Sequence, residues 1–176
     1  MGTIHEFKDD YNIGLLGENL IKDYYHSRRT EDGNNLYIVR PAQKWEQQQG
    51  ADFFVVNNEL GTKYFEVKTD TQSKDTGNVA LEIQIDYGDK KTIGCALKTF
   101  PDYLFYWIYP TTEVLYWNPQ ELNPFIIDWL LDNPRIVETE NKNFFSRSML
   151  ISVEDLKKTR VVRTLDIPLA IVEKNK

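Results

Sequence analysis

The chain has 176 residues with 27 acids against 21 bases, a formal net charge of −6, and that length suits one domain, residues 1–176, able to bury roughly 70% of its unfolded surface. One cysteine excludes an intrachain disulfide framework and points to a reducing compartment. Residues 1–6 carry no basic stretch followed by an apolar one, and no apolar run approaches membrane-spanning length, so a soluble, cytoplasmic protein without a membrane partner is expected.

In chain order, apolar residues at Ile13, Leu16, Leu20 and Tyr24 have the three-and-four spacing of a helix over residues 11–25. Glu18 lies off that stripe, beside Gly14, Ile21 and Tyr25, and has two readings: a surface acid paired with Lys22 at i,i+4, or an acid contributed to a site. Residues 34–40 read as a strand and 41–49 as a polar connection with Trp45 and three successive glutamines. Trp45 either stacks on a base or packs down the edge of a sheet.

The next two short apolar runs, residues 51–56 and 63–68, flank turn material at 57–62 and so form a hairpin. Side chains alternate along a strand, which puts Glu66 and Lys68 on one face and Val67 on the other. With Asp52 following Gly50-Ala51 on the first run, the hairpin converges two carboxylates and an amine. Such a trio can hold a divalent metal and position a water, whereas Glu-x-Lys alone is also what a solvated strand face with a weak ion pair looks like.

Residues 70–78 are polar and punctuated, and a strand resumes over 79–85, where Glu82 and Gln84 share a face. After Thr92-Ile93-Gly94, Asp102 opens a run of apolar and aromatic residues at 103–109 that reads as a buried strand, with 113–117 as its returning arm; Asp102 is a turn residue rather than a ligand. Residues 120–131 have one apolar face of a helix, with Asn118 as cap and Pro119 at the first position. Residues 144–153 form another strand, ending where Ser152 caps a short helix at 154–156. Residues 160–165 make an edge strand or a dimer arm.

The order of these features resembles the catalytic core of the PD-(D/E)xK nuclease superfamily. Asp52 matches the motif's lone Asp, Glu66 its D/E and Lys68 its K, while the Pro that often precedes the Asp is Ala51 here. Gly14-x-x-x-Glu18 on an early helix looks like the resolvase-type members, where a helical Glu joins the site. Thr76-Gly77-Asn78 before a strand is similar to a phage and bacterial branch, where an acid or Gln on the third strand, here Glu82 or Gln84, flanks the site. The resemblance implies an α/β fold with a mixed central sheet flanked by helices, a restriction-endonuclease-like core over about residues 10–118, and a C-terminal elaboration at 119–176.

It also implies an Mg-dependent endodeoxyribonuclease acting on duplex or branched DNA, with Mn able to substitute and a homodimer as one possible assembly. Hydrolysis of a phosphodiester calls for a hard cation, and magnesium binds through one or two carboxylates while keeping several waters. Asp52 and Glu66 are the expected metal ligands with the Val67 carbonyl as a third. Lys68 orients the attacking water, with a pKa that the metal lowers, and Glu18 with Gln84 or Glu82 completes the set. The alternative is a binding or assembly module on the same fold without activity, which the acidic balance favours, since DNA binders usually carry a basic footprint. Candidate basic patches lie at Arg28-Arg29, Arg40 with Lys44, Lys74, Lys90-Lys91 and Lys157-Lys158, Arg160 and Arg163, each of which also reads as ordinary solvated side chains. His5 and His26 are too isolated for a zinc site, and no phosphate-binding glycine loop is present.

Overall fold

The computed structural model describes residues 7–59, 61–141 and 143–176, with side chains from residue 12 onward; the expectations for residues 1–6, His5 included, fall outside the described residues. Helix α1 (Phe7–Ser27) begins earlier than its apolar spacing indicates and buries a wider face. Leu20 and Ile21 are fully buried, with Leu16, Tyr24 and Tyr25 packed around them. The buried face therefore extends toward Ile21 and Tyr25, the side on which Glu18 lies.

The hairpin forms as anticipated. Strand β2 (Phe53–Asn57) runs antiparallel to β3 (Gly61–Asp70), with Phe53 opposite Phe65. Strand β1 (Ile38–Pro41) pairs with the outer side of β2. Between β1 and β2 the polar connection is in part a helix, α2 (Lys44–Gln49). The reason is local: the Glu46 carboxylate accepts the Gln43 N–H at 2.6 Å, capping the first turn, and Gly50 ends the last turn at φ 100°, which favours a residue without a Cβ.

Strand β3 continues into a parallel pairing with β6 (Tyr103–Ile108), Glu66 lying opposite Leu104 and Lys68 opposite Tyr106. Strands β7 (Glu113–Trp117) and β10 (Arg163–Asp166) complete a six-stranded mixed sheet in the order β1-β2-β3-β6-β7-β10. A parallel pair needs a long crossover. Here that crossover is made largely of strand: after the short helix α3 (Ser73–Thr76), β4 (Asn78–Asp86) and β5 (Lys91–Ile93) form a hairpin, followed by a 3-10 turn at Cys95–Leu97.

This hairpin belongs to a second sheet of four strands, β5-β4-β9-β8, completed by β8 (Ile136–Asn141) and β9 (Phe144–Ser152). The expected mixed sheet with flanking helices is present, and this second, wholly antiparallel sheet is added to it. Its physical cause is in β4 and β9, which pair along nearly their whole lengths and bury Val79, Leu81 and Met149. The segment after residue 118 is accordingly part of the core and not an appendage.

The main sheet is covered on both sides, as the continuous apolar run of β6 requires. On one side Phe65, Val67, Phe105 and Trp107 meet α1 and the C-terminal helix α6 (Leu169–Lys174). On the other, Leu104, Tyr106, Ile108 and Trp117 meet the second sheet, α4 (Pro119–Leu131) and α5 (Val153–Lys158). The Asn118 side chain accepts the Gln120 N–H at 2.8 Å and that of Ser152 accepts the Asp155 N–H at 3.0 Å, so both expected caps are made. Neither β8 nor α6 was anticipated. No helix of the described residues is long and apolar enough to cross a membrane.

Candidate active site

Asp52 stands one residue ahead of β2, where the β2–β3 ladder ends. Its N–H donates to the Phe65 carbonyl at 2.8 Å, and its carboxylate then accepts the Val67 N–H at 2.7 Å. The side chain thus takes the place of a strand partner for a backbone donor, which fixes the carboxylate against the main chain between Glu66 and Lys68. Val67 itself points into the α1-side core, 6% exposed, so Glu66 and Lys68 face the opposite side, toward the second sheet.

Glu66 is buried at 7% exposure, which separates it from an ordinary solvated strand residue. Lys68 Nζ lies 3.2 Å from Glu66 Oε1, and the lysine side chain is 41% exposed, so the pair opens outward at the ammonium end. Burial and the neighbouring Glu66 push the Asp52 carboxyl up to about 8, against the pull of Lys68 and the Val67 N–H; Glu18 adds to the rise. Burial likewise raises Glu66, opposed by Lys68 and then Lys98, with Glu82 reinforcing the rise. Two carboxylates are therefore held where they resist ionising together.

The Lys68 ammonium is held well above its usual range by Cys95, then Glu66, with Glu82 and Asp52 reinforcing and desolvation opposing. Burial pushes the Cys95 thiol itself up to about 12, which leaves it neutral at physiological pH, so Glu66 is the next cause in line. The lowered lysine pKa expected beside a cation has no counterpart in the chain's own charges, which act in the other direction.

Glu18 makes the i,i+4 pair of its first reading. Its carboxylate pairs with Lys22 at 2.7 Å, and its charge still reaches Asp52. On β4 the two candidates separate. The register shifts between Glu82 and Gln84, and Gly94, opposite the shift, lets the 3-10 turn close on β4. A Cβ at Gly94 would overlap the Glu82 carbonyl and lie 2.7 Å from Ile83 N. Glu82 Oε1 accepts the Cys95 N–H at 3.2 Å, and its charge acts on Glu66 and Lys68. Gln84 pairs with Ile93 and Arg147 and, among the described residues, makes no hydrogen bond to Asp52, Glu66 or Lys68. The strand residue facing the trio is Glu82.

Asp102 is structural, as expected: it accepts from Lys63 Nζ and from the Tyr64 N–H, both at 2.9 Å, and so ties the start of β6 to β3. Trp45, 53% exposed, sits edge-on to Phe100 at 5.6 Å. Two neighbours escaped the sequence reading. Cys95 is brought by the 3-10 turn, and Lys98 passes over Gly50, its Cδ lying 2.6 Å from where a Cβ would be. The Gly50-Ala51-Asp52 run was legible, but nothing in it names the lysine that occupies the space its glycine leaves.

No family model matches the chain, and neither a curated protein nor a solved structure does.

Among the described residues no three His, Cys, Asp or Glu side chains are gathered into a metal cluster. The oxygen donors that could hold an ion there are the carboxyl groups of Asp52 and Glu66. Such a pair suits a hard cation of the magnesium kind, which uses one or two carboxylates and keeps its waters, and it suits soft or borderline ions poorly, because Cys95 is protonated and no cluster of His, Cys, Asp or Glu forms among the described residues. The electrostatics agree, since a divalent cation relieves the repulsion that raises Asp52.

Proposed function

We propose that this protein is a magnesium-dependent deoxyribonuclease, with manganese able to substitute, that hydrolyses phosphodiester bonds of duplex or branched DNA as an endonuclease. The observation that carries the reading is the buried Glu66, held 3.2 Å from Lys68 and electrostatically linked to an Asp52 carboxylate anchored on the Val67 N–H. Buried, mutually repelling acids beside a lysine are costly to a fold and concentrate where chemistry is done.

Asp52 and Glu66 would hold the cation, with the intervening Val67 carbonyl as the further oxygen the resemblance implies. Bound there, magnesium supplies Lewis-acid stabilisation of the charge that develops on the scissile phosphate. Lys68 remains an ammonium, and its role is to donate hydrogen bonds that aim the attacking water and to balance phosphate charge. Glu66, through its contact with Lys68, fixes the direction of that ammonium. Glu82 and Glu18 add negative potential that favours cation occupancy over the protonated pair.

The test is cleavage of supercoiled plasmid and of a four-way branched substrate with millimolar magnesium or manganese. Wild type nicks or cuts, and Lys68→Ala loses at least about a hundredfold in rate, the span expected of a group acting on proton transfer or transition-state charge. Undiminished cleavage by Lys68→Ala would overturn the mechanism. Absence of cleavage together with no calorimetric magnesium binding would favour an inactive module on this fold.

A further inference from the structure

A groove of about 1060 Å³ runs between α2, the β4–β5 hairpin and residues 98–100. Its charged lining is Lys90 and Lys98, with no acid, in a chain whose acids outnumber its bases by 27 to 21. The remainder is chemically mixed in a particular way: the three successive glutamines of α2 on one wall, Tyr87 and Ile93 on the other, and Phe100 with threonines between them. Tyr87 is 48% exposed and Ile93 55%. Phe100 lies 4.9 Å from Tyr64 and carries Trp45 edge-on at 5.6 Å, so aromatic faces continue from the groove over α2.

The groove adjoins Gly50, two residues ahead of Asp52, through Lys98. Lys98 lines it and lies over Gly50, its Cδ 2.6 Å from where a Cβ would stand, and acts electrostatically on Glu66. A phosphate backbone lying on Lys90 and Lys98 would therefore be carried toward Glu66 and Lys68. Lysines for phosphates, aromatic faces for bases, and amides and hydroxyls for base edges are the parts of a single-strand site. The volume is that of a large small-molecule pocket, room for a few nucleotides of one strand.

We propose that this groove binds a single strand of DNA and directs it to the site, so that the preferred substrate is a duplex bearing a single-stranded arm. The proposal rests on the nuclease reading for its second half, and the experiment separates the two. Binding of fluorescein-labelled oligothymidylate to the full chain is followed by anisotropy in EDTA, where no cleavage occurs, over a series of salt concentrations.

The logarithm of the affinity falls linearly with the logarithm of the salt concentration. Tyr87→Ala weakens binding by about fivefold or more, as loss of a stacking face does, and Lys90→Glu weakens it and lowers the salt slope by about one or more. Both positions are exposed on the hairpin, and circular dichroism establishes that the variants are folded. Folded variants that bind as wild type does would overturn the groove assignment, as would equal competition by a blunt duplex of the same length or by polyglutamate. Groove-dependent strand binding without cleavage under any metal condition would retain the groove and remove the nuclease reading. Lys68-dependent cleavage with variant-insensitive strand binding would do the reverse.

Discussion

Asp52→Asn removes a charge while keeping the acceptor for the Val67 N–H, which Asp52 now holds at 2.7 Å, so it probes the electrostatics of the site with little change of shape. In the wild type the carboxyl is pushed from an ordinary value of 3.8 up to about 8. A carboxyl raised on folding is protonated in the native state but ionised in the unfolded chain between those limits. The native state then binds more protons, and stability falls as pH rises from about 4 to about 8, by at most about 1.4 kcal/mol per pH unit. A full shift of roughly 4 units sets a ceiling near 5 to 6 kcal/mol. Partial exposure of Asp52 reduces the realised loss to about 2–3 kcal/mol.

The assay is urea unfolding at pH 4, 5, 6, 7 and 8 in low salt without divalent ions. Wild type and Asp52→Asn have similar midpoints at pH 4, and the variant becomes progressively the more stable toward pH 8. Millimolar magnesium narrows the gap at pH 8, because a cation favours the ionised carboxylates of the wild type. Profiles that stay parallel from pH 4 to 8 would refute the argument that burial and the neighbouring Glu66 raise the Asp52 carboxyl.

Two further substitutions test how the second sheet is fixed against the site. Gly94→Ala places a methyl group into the Glu82 carbonyl and 2.7 Å from Ile83 N, backbone that cannot rotate away, and it costs at least about 1–3 kcal/mol in urea unfolding; a loss below about 0.5 kcal/mol would show that the 3-10 turn moves freely. Tyr106→Phe removes a buried hydroxyl that donates to Asp70 and accepts from the Ala80 N–H at 3.0 Å. It leaves the Ala80 donor unsatisfied and costs about 1–3 kcal/mol, with faster amide exchange at Ala80 as the local sign.

Those elements that announce themselves by local chemistry were readable in advance. The β2–β3 hairpin follows from two apolar runs around turn residues, α4 from the Asn118-Pro119 start and its apolar face, and α5 from Ser152. Strand β6 was legible because a segment buried on both faces is apolar throughout. What escaped was structure that depends on a distant partner. Strand β8 lies on an edge and alternates weakly (Ile136, Val137, then Glu138, Thr139 and Glu140), so only pairing with β9 makes it a strand. Helix α2 hides in a polar run because its stabilising contacts are Glu46 and Gly50, not an apolar stripe.

The same division holds at the site. Sequence by itself determined that Glu66 and Lys68 share a face and that Asp52 lies at the opposing end of the hairpin, because alternation and turn length leave little choice over so short a distance. It left open which β4 residue, Glu82 or Gln84, turns inward. That choice was decided by the register shift in β4 and by the room at Gly94, which depend on how the strand pairs with β9 and on how closely the 3-10 turn packs. Tertiary structure alone made Glu66 a buried acid, since burial requires the second sheet over it. It also brought Cys95 and Lys98 beside Lys68 and Glu66, residues that only the parallel crossover from β3 to β6 places there.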